Sequence, residues 1–180
     1  FSIVGRAGIP TTGVAAVSMN VTVTSTTAGP GGGYVSVYPC SNGRPNVSSL
    51  NFATGQTVPN AVIVPVNGGA TCFFVYGRAD LVVDVNGYFN SGAGFNPVTP
   101  TRVADTRTGI GDVQAVKVGN GGADGSPLQF RIAGRGGVPA GVGAVSVNVT
   151  VANTSITEGT GYVTVYPCSS GRPTVSNLNF

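Results

Sequence analysis

Along much of the chain apolar and polar residues alternate one by one. In "VSMNVTVT", Val17, Met19, Val21 and Val23 share one phase, and Ser18, Asn20, Thr22 and Thr24 share the other. A period of two over this length marks a strand with one face in a core and the other toward water. "VSVNVTV" repeats the pattern, so Val145, Val147, Val149 and Val151 are expected to point inward. Further strands are expected at "YVSVY" (34–38), "AVIVPV" (61–66), "TCFFVY" (71–76), "LVVDVNGYF" (81–89), "VQAVKV" (113–118) and "LQFRIAG" (128–134). Between them stand turn signals: Gly29-Pro30-Gly31-Gly32-Gly33, Ser41-Asn42-Gly43 and Asn67-Gly68-Gly69. No stretch combines a 3.6-residue period with helix caps. The pattern therefore predicts an all-β chain without significant helix, built as a sandwich of antiparallel sheets.

The pattern also repeats at long range. "FSIVGRAGIP" (1–10) returns as "FRIAGRGGVP" (130–139) at an offset of 129, and from Asn20 and Asn148 onward the offset is 128. "VYPCSNGRPNVSSLNF" (37–52) returns as "VYPCSSGRPTVSNLNF" (165–180). A repeat of about 128 residues implies whole β-sandwich-like domains in tandem rather than a thin solenoid. "NSGAGFNPVTP", after "LVVDVNGYF", reads as a connector and places the unit boundary near Asn90–Phe95. On this phase, residues 1–90 are a first unit without its N-terminal segment, the counterpart of 96–129. Residues 91–180 are then a second unit without its C-terminal strands, the counterpart of 53–90.

The same phase orders the three cysteines. Cys40 and Cys168 are equivalent, whereas Cys72 has no second copy. A Cys40–Cys72 disulfide would make two cysteines per complete unit, leaving the partner of Cys168 outside the chain or in a neighbour. That arrangement favours an oxidising, extracellular or cell-surface setting; three buried free thiols are the alternative.

Only 8% of the residues are charged, against roughly 25% in an ordinary soluble domain. A surface of Ser, Thr, Asn and Gly resists close approach of other copies weakly, which suits self-association. The nine Lys and Arg are scattered singly and form no basic stripe, so neither nucleic acid nor an anionic membrane surface is an expected partner. No apolar run approaches the roughly 20 residues of a membrane-spanning helix, and membrane insertion is not expected.

Candidate chemistry is sparse. With no histidine, the common nucleophile–base arrangements are excluded, and no phosphate-binding or zinc-binding spacing occurs. Neither a cofactor nor an enzymatic activity is expected. Glu158 lies in a turn-like segment whose counterpart in the first copy has no acid. Asp84 interrupts an apolar run and calls for a cationic partner, for which Arg102 and Arg107 of "PTRVADTRTG" are candidates, with Asp105 between them. A calcium site through Asp84, Asn86 and Asp105 is a lesser reading of the same oxygens. Among the aromatic residues, Tyr34 and Tyr38 are the candidates for stacking on a glycan, with core packing as the plainer role for the group. The sequons at Asn20, Asn46, Asn148 and Asn153 permit glycosylation, although Asn and Thr also serve as the polar face of strands.

The blocks "PTRVADTRTGIG" (100–111), "GRGGVPAGVGAVSVNVTV" (134–151), "VYPCSSGRPTVSNLNF" (165–180), "GQTVPNAVIVPV" (55–66) and "LVVDVNGYF" (81–89) together resemble tandem β-repeat units of large secreted and surface proteins of bacteria. Such units run from a P-x-R-x-x-D-T-R block to a D-V-x-G-Y-F block. The resemblance implies an extracellular all-β array and carries no catalytic residues. The expected function is that of a structural or adhesive extracellular repeat protein, a subunit or segment of a filament or surface layer assembled by strand complementation. The alternative is a polysaccharide- or cell-wall-binding module attached to a secreted enzyme.

Overall fold

The structure, a computed structural model, describes residues 1–92, 94–119, 127–155 and 161–180. Glu158 lies outside the described residues.

Eight strands form among the described residues: β1 Val14–Thr27, β2 Gly33–Pro39, β3 Leu50–Phe52, β4 Val58–Pro65, β5 Thr71–Tyr76, β6 Arg78–Asn90, β7 Tyr162–Val163 and β8 Leu178–Asn179. All pairing is antiparallel, in sheets ordered β4-β1-β6, β3-β2-β5 and β7-β8. Among the described residues the helical content is a single 3-10 turn at Cys40–Asn42. The chain is all-β, as its alternation predicts.

The first copy is a sandwich. β1 is the central strand of its sheet, paired with β4 from Ala16 to Val23 and with β6 along almost its whole length. Its alternating side chains Val17, Met19, Val21 and Val23 have no solvent exposure. They meet Val62 and Val64 of β4, Val35 and Val37 of β2, and Leu50 and Phe52 of β3 in one apolar cluster. The two sheets are joined at Gly77, the single residue between β5 and β6. Its φ of 95° is open to glycine, and a Cβ there would lie 2.9 Å from the Thr27 carbonyl oxygen. The Asn67–Ala70 turn joins β4 to β5 through two glycines of positive φ, as its sequence suggests. At the other end of β1, the Thr26 hydroxyl lies 2.8 Å from the carbonyls of Ala53 and Gln56, tying down the β3–β4 loop.

The second copy repeats the first wherever geometry is local. β7–β8 pairs Tyr162 with Asn179 and Val163 with Leu178, the register of Tyr34–Asn51 and Val35–Leu50 displaced by the repeat. The Thr164 hydroxyl donates to the Val175 carbonyl as the Ser36 hydroxyl donates to that of Val47. The Val165 amide donates to Asn177 Oδ1 as that of Val37 donates to Ser49 Oγ. Even the left-handed residue near the end of β1 recurs, with Ser25 at φ 52° and Asn153 at φ 54°.

Sheet closure is not repeated. Val145, Val147 and Val149, expected to face inward, are 41–45% exposed, and residues 143–155 form no strand. Their counterparts are buried between β4 and β6, and the 180 residues contain no second copy of 53–90. A strand is defined by its neighbours, so the same alternation without them yields an unpaired segment. The segments 113–118 and 128–134, also expected as strands, are irregular. Only Val113 of the first is buried, and Val116, Val118, Leu128 and Phe130 remain exposed. By contact density the chain divides into Phe1–Ser146 and Val147–Phe180, a different property from the sequence boundary near residue 90.

Identical substitutions at equivalent positions separate these environments. Val21→Ala is expected to cost about 2–3 kcal/mol, from lost transfer energy plus a residual cavity. Val149→Ala should stay within about 0.5 kcal/mol, as an exposed position does. Urea unfolding of both variants checks the contrast.

Candidate functional site

With Val35 and Val37 in the core, alternation turns Tyr34, Ser36 and Tyr38 to the outer face of the β3-β2-β5 sheet. Opposite them on β5 stand Tyr76, Phe74 and Cys72, by register. Tyr34 stacks on Tyr76 with ring centroids 5.3 Å apart and an interplanar angle of 22°, and lies 6.0 Å from Phe74. Tyr76 is the most open of the group. Tyr38 is half-buried beside Cys72.

After β2 the chain turns through Cys40–Asn42 and Gly43, whose φ is 67°, and folds back over this face. Two features hold it there: the Cys40–Cys72 disulfide, with Cα atoms 5.0 Å apart, and the hydrogen bond from Ser36 to Val47. The result places the Arg44 guanidinium 4.0 Å from the Phe74 ring centroid. A planar cation over an aromatic ring beside an open tyrosine pair is a surface that can stack on a sugar and donate hydrogen bonds to its hydroxyls. Sequence pattern does not mark Arg44 as a site residue, although "GRP" recurs at 43–45 and 171–173 inside the doubled block. In the second copy Tyr162, Arg172, Thr174, Ser176 and Asn179 line a shallow hollow of about 300 Å³, and of these Tyr162 and Arg172 are equivalent to Tyr34 and Arg44. Tyr34 and Arg44 thus recur, whereas Phe74 and Tyr76 have no second copy within the 180 residues. Cys168 is free and exposed.

The acidic residues lie elsewhere. Asp105 heads a tight turn in which its backbone amide donates to the Ile110 carbonyl and its own carbonyl accepts from the Gly109 amide. Its carboxylate accepts from Arg107 Nε at 3.0 Å, Arg107 Nη2 at 2.7 Å, the Arg107 amide at 2.9 Å and Arg102 Nη1 at 3.2 Å. The Arg107 side-chain hydrogen bonds, with its amide and the charges of Arg107 and Arg102, outweigh the opposing effect of burial. They hold the carboxyl at about 2, below its ordinary 3.8. The same partnership raises the pKa of Arg107. The network is local and structural, within "TRVADTRTG" itself.

Asp84 does not join it. β6 alternates strictly, which sets Asp84 on the exposed phase, in register with Asn20, where water solvates the carboxylate. No ion pair links it to Arg102 or Arg107 among the described residues, contrary to the sequence expectation. The calcium reading fails on the same geometry, because the Asp105 oxygens are occupied by two guanidinium groups. No group of three His, Cys, Asp or Glu suited to a metal occurs among the described residues. The further ion pair, Asp112 with Arg135, joins two loops and has no signal in sequence spacing.

No helix among the described residues is long and apolar enough to cross a membrane. Compared with protein-family models, with curated proteins and with solved structures, the chain finds no match.

Since Asp105 sits at about 2 when folded and near 3.8 when free, its contribution to stability is present above about pH 4 and lost as pH falls through about 2. Carboxyl NMR titration should place the Asp105 midpoint near 2. Asp105→Asn should remove that titration and flatten the acid limb of a stability profile between pH 4 and 2. An Asp105 midpoint near 4 contradicts the assignment.

Proposed function

We propose that the chain is a segment of an extracellular structural or adhesive β-repeat array, whose units assemble into a filament or surface layer by strand complementation. One observation carries this reading. Residues equivalent to the buried core positions Val17, Met19, Val21, Val37 and Phe52 stand exposed in the second copy as Val145, Val147, Val149, Val165 and Phe180, although the β7–β8 pairing keeps the register of β2–β3. An alternating apolar face with unpaired backbone is a template for added strands. β4 and β6 are already engaged with β1, so the donor that fits is an unpaired segment of a neighbouring molecule, near Phe130–Arg135 or Val145–Val151, and such pairing gives head-to-tail growth. The low charge of the surface supports close packing of copies. The Cys40–Cys72 disulfide accords with an oxidising setting. The resemblance to tandem repeats of secreted bacterial proteins points the same way. Sedimentation velocity and electron microscopy over a concentration series test it. Concentration-dependent oligomers or fibres are expected, abolished by Val147→Asp with Val149→Asp. A strictly monomeric chain without fibres rejects assembly by strand complementation.

A second reading is favoured by the aromatic–arginine face of the first copy: a module that holds polysaccharide or cell wall for an attached enzyme. Arg44 over Phe74 and Tyr34 stacked on Tyr76 supply stacking and hydrogen bonding in the first copy, and the equivalents of Tyr34 and Arg44, Tyr162 and Arg172, line a hollow in the second. Retention on insoluble glycan should weaken about tenfold when Tyr34 and Tyr162 are both changed to Ala, a loss of about 1.4 kcal/mol. Retention that is absent, or indifferent to these changes, removes this reading and leaves the structural one.

A further inference from the structure

The loop that reads "GRAGIP" in the first copy and "GRGGVP" in the second has one conformation and two environments. The Gly5 amide donates to the Ile9 carbonyl at 3.0 Å, and Gly134 donates to Val138 at 2.8 Å. The returning bonds, Ile9 amide to Arg6 carbonyl and Val138 amide to Arg135 carbonyl, are both 2.8 Å. The left-handed residues coincide: Gly5, Ala7 and Gly8 have φ of 75°, 49° and 78°, and Gly134, Gly136 and Gly137 have φ of 83°, 56° and 82°. A loop preserved to this degree presents the same surface twice.

In the second copy that surface is partly covered by the segment 98–112, which leaves Arg135 and Gly136 half-buried and Gly137 exposed. A Cβ placed on Gly136 would lie 3.1 Å from Val103 Cγ1 and 3.4 Å from Thr101 Cβ, and one on Gly137 would lie 3.4 Å from Val98 Cγ1. The Arg135 guanidinium pairs with the Asp112 carboxylate. The covering segment is itself stiffened by the Asp105 network and by Gly111. The φ of Gly111 is 90°, and a side chain there would run into the Val103 carbonyl oxygen. In the first copy the same surface is bare. Arg6, Ala7 and Gly8 are exposed, and nothing lies within 4 Å of a Cβ built on Gly8. Arg6 has no acid among the described residues and rests over the Phe1 ring at 5.5 Å.

We infer that the Arg6–Gly8 loop is a docking site for a further copy of the 98–112 segment, supplied by a neighbouring repeat. The contacts follow from the second copy. Arg6 takes the acid equivalent to Asp112, and Gly8 receives the residue equivalent to Val98. Ala7 faces the residue equivalent to Val103. One position is modified: Ala7 brings a methyl group where Gly136 has none. At the 3.1 Å measured from Gly136, the facing valine must shift by a few tenths of an ångström. A smaller residue there therefore fits the first-copy loop better than valine does. This contact concerns the opposite end of the repeat from the strand completion proposed above, and either can fail without the other.

The test keeps the whole chain and places a duplicate of residues 91–129 directly ahead of Phe1, where Phe1 stands to the graft as Phe130 stands to residue 129. Amide exchange at Arg6–Gly8 is expected to slow about tenfold or more on grafting. Tm should rise by about 2–4 °C. Arg6→Glu should cancel the protection, and adding Asp112→Arg in the grafted segment should restore it. Exchange at Gly134–Gly137 should stay constant throughout as the internal reference. Arg6–Gly8 exchange that is unchanged by the graft, or slowed equally with and without Arg6→Glu, overturns the inference.

Discussion

The antiparallel ladder that holds β1 between β4 and β6 is the constraint on which the rest depends. It converts an alternating sequence into a strand with both edges bonded and one face closed. Val17, Met19, Val21 and Val23 then reach zero exposure because the second sheet has something to pack against. From that sheet the path to the outer aromatic face is short. β5 leaves β6 at Gly77, pairs with β2, and sets Phe74 and Tyr76 beside Tyr34. The disulfide and the Ser36–Val47 bond then lay Arg44 over Phe74.

The second copy shows what remains when the ladder is absent. Hairpin register, capping hydrogen bonds and left-handed turn residues reappear, each specified by residues close in sequence. Burial does not, since it is set by strands far away along the chain. Local geometry and sheet closure are therefore separable properties of this repeat. The proposed assembly by strand complementation is the functional reading of that separation.

Much of the architecture was legible for the same reason. Alternation located β1, β2, β4, β5 and β6, and glycine-rich runs located the turns, because both signals are local. The long repeat paired the two hairpins. What alternation does not carry is the identity of a strand's neighbours, so Val145–Val151 read like Val17–Val23 and folded otherwise. Asp84 was misread from its place in an apolar run. Its phase within β6, outward with Val82 and Asn86, describes it better than its apolar surroundings do. Within the candidate site, Tyr34 could be named from sequence. Arg44 could not, because its place over Phe74 depends on a loop folding back across the sheet. The pairing of Asp112 with Arg135 likewise joins residues that no spacing rule connects.

The 143–155 segment is, on this reading, a β1 strand awaiting its neighbours. The direct measurement is residue-resolved amide exchange on a chain in which a copy of residues 53–90 follows Phe180. The amides of Asn148, Val149, Thr150 and Val151 are expected to become protected to the level of Asn20–Val23. Amides that continue to exchange as freely as in the present chain contradict it.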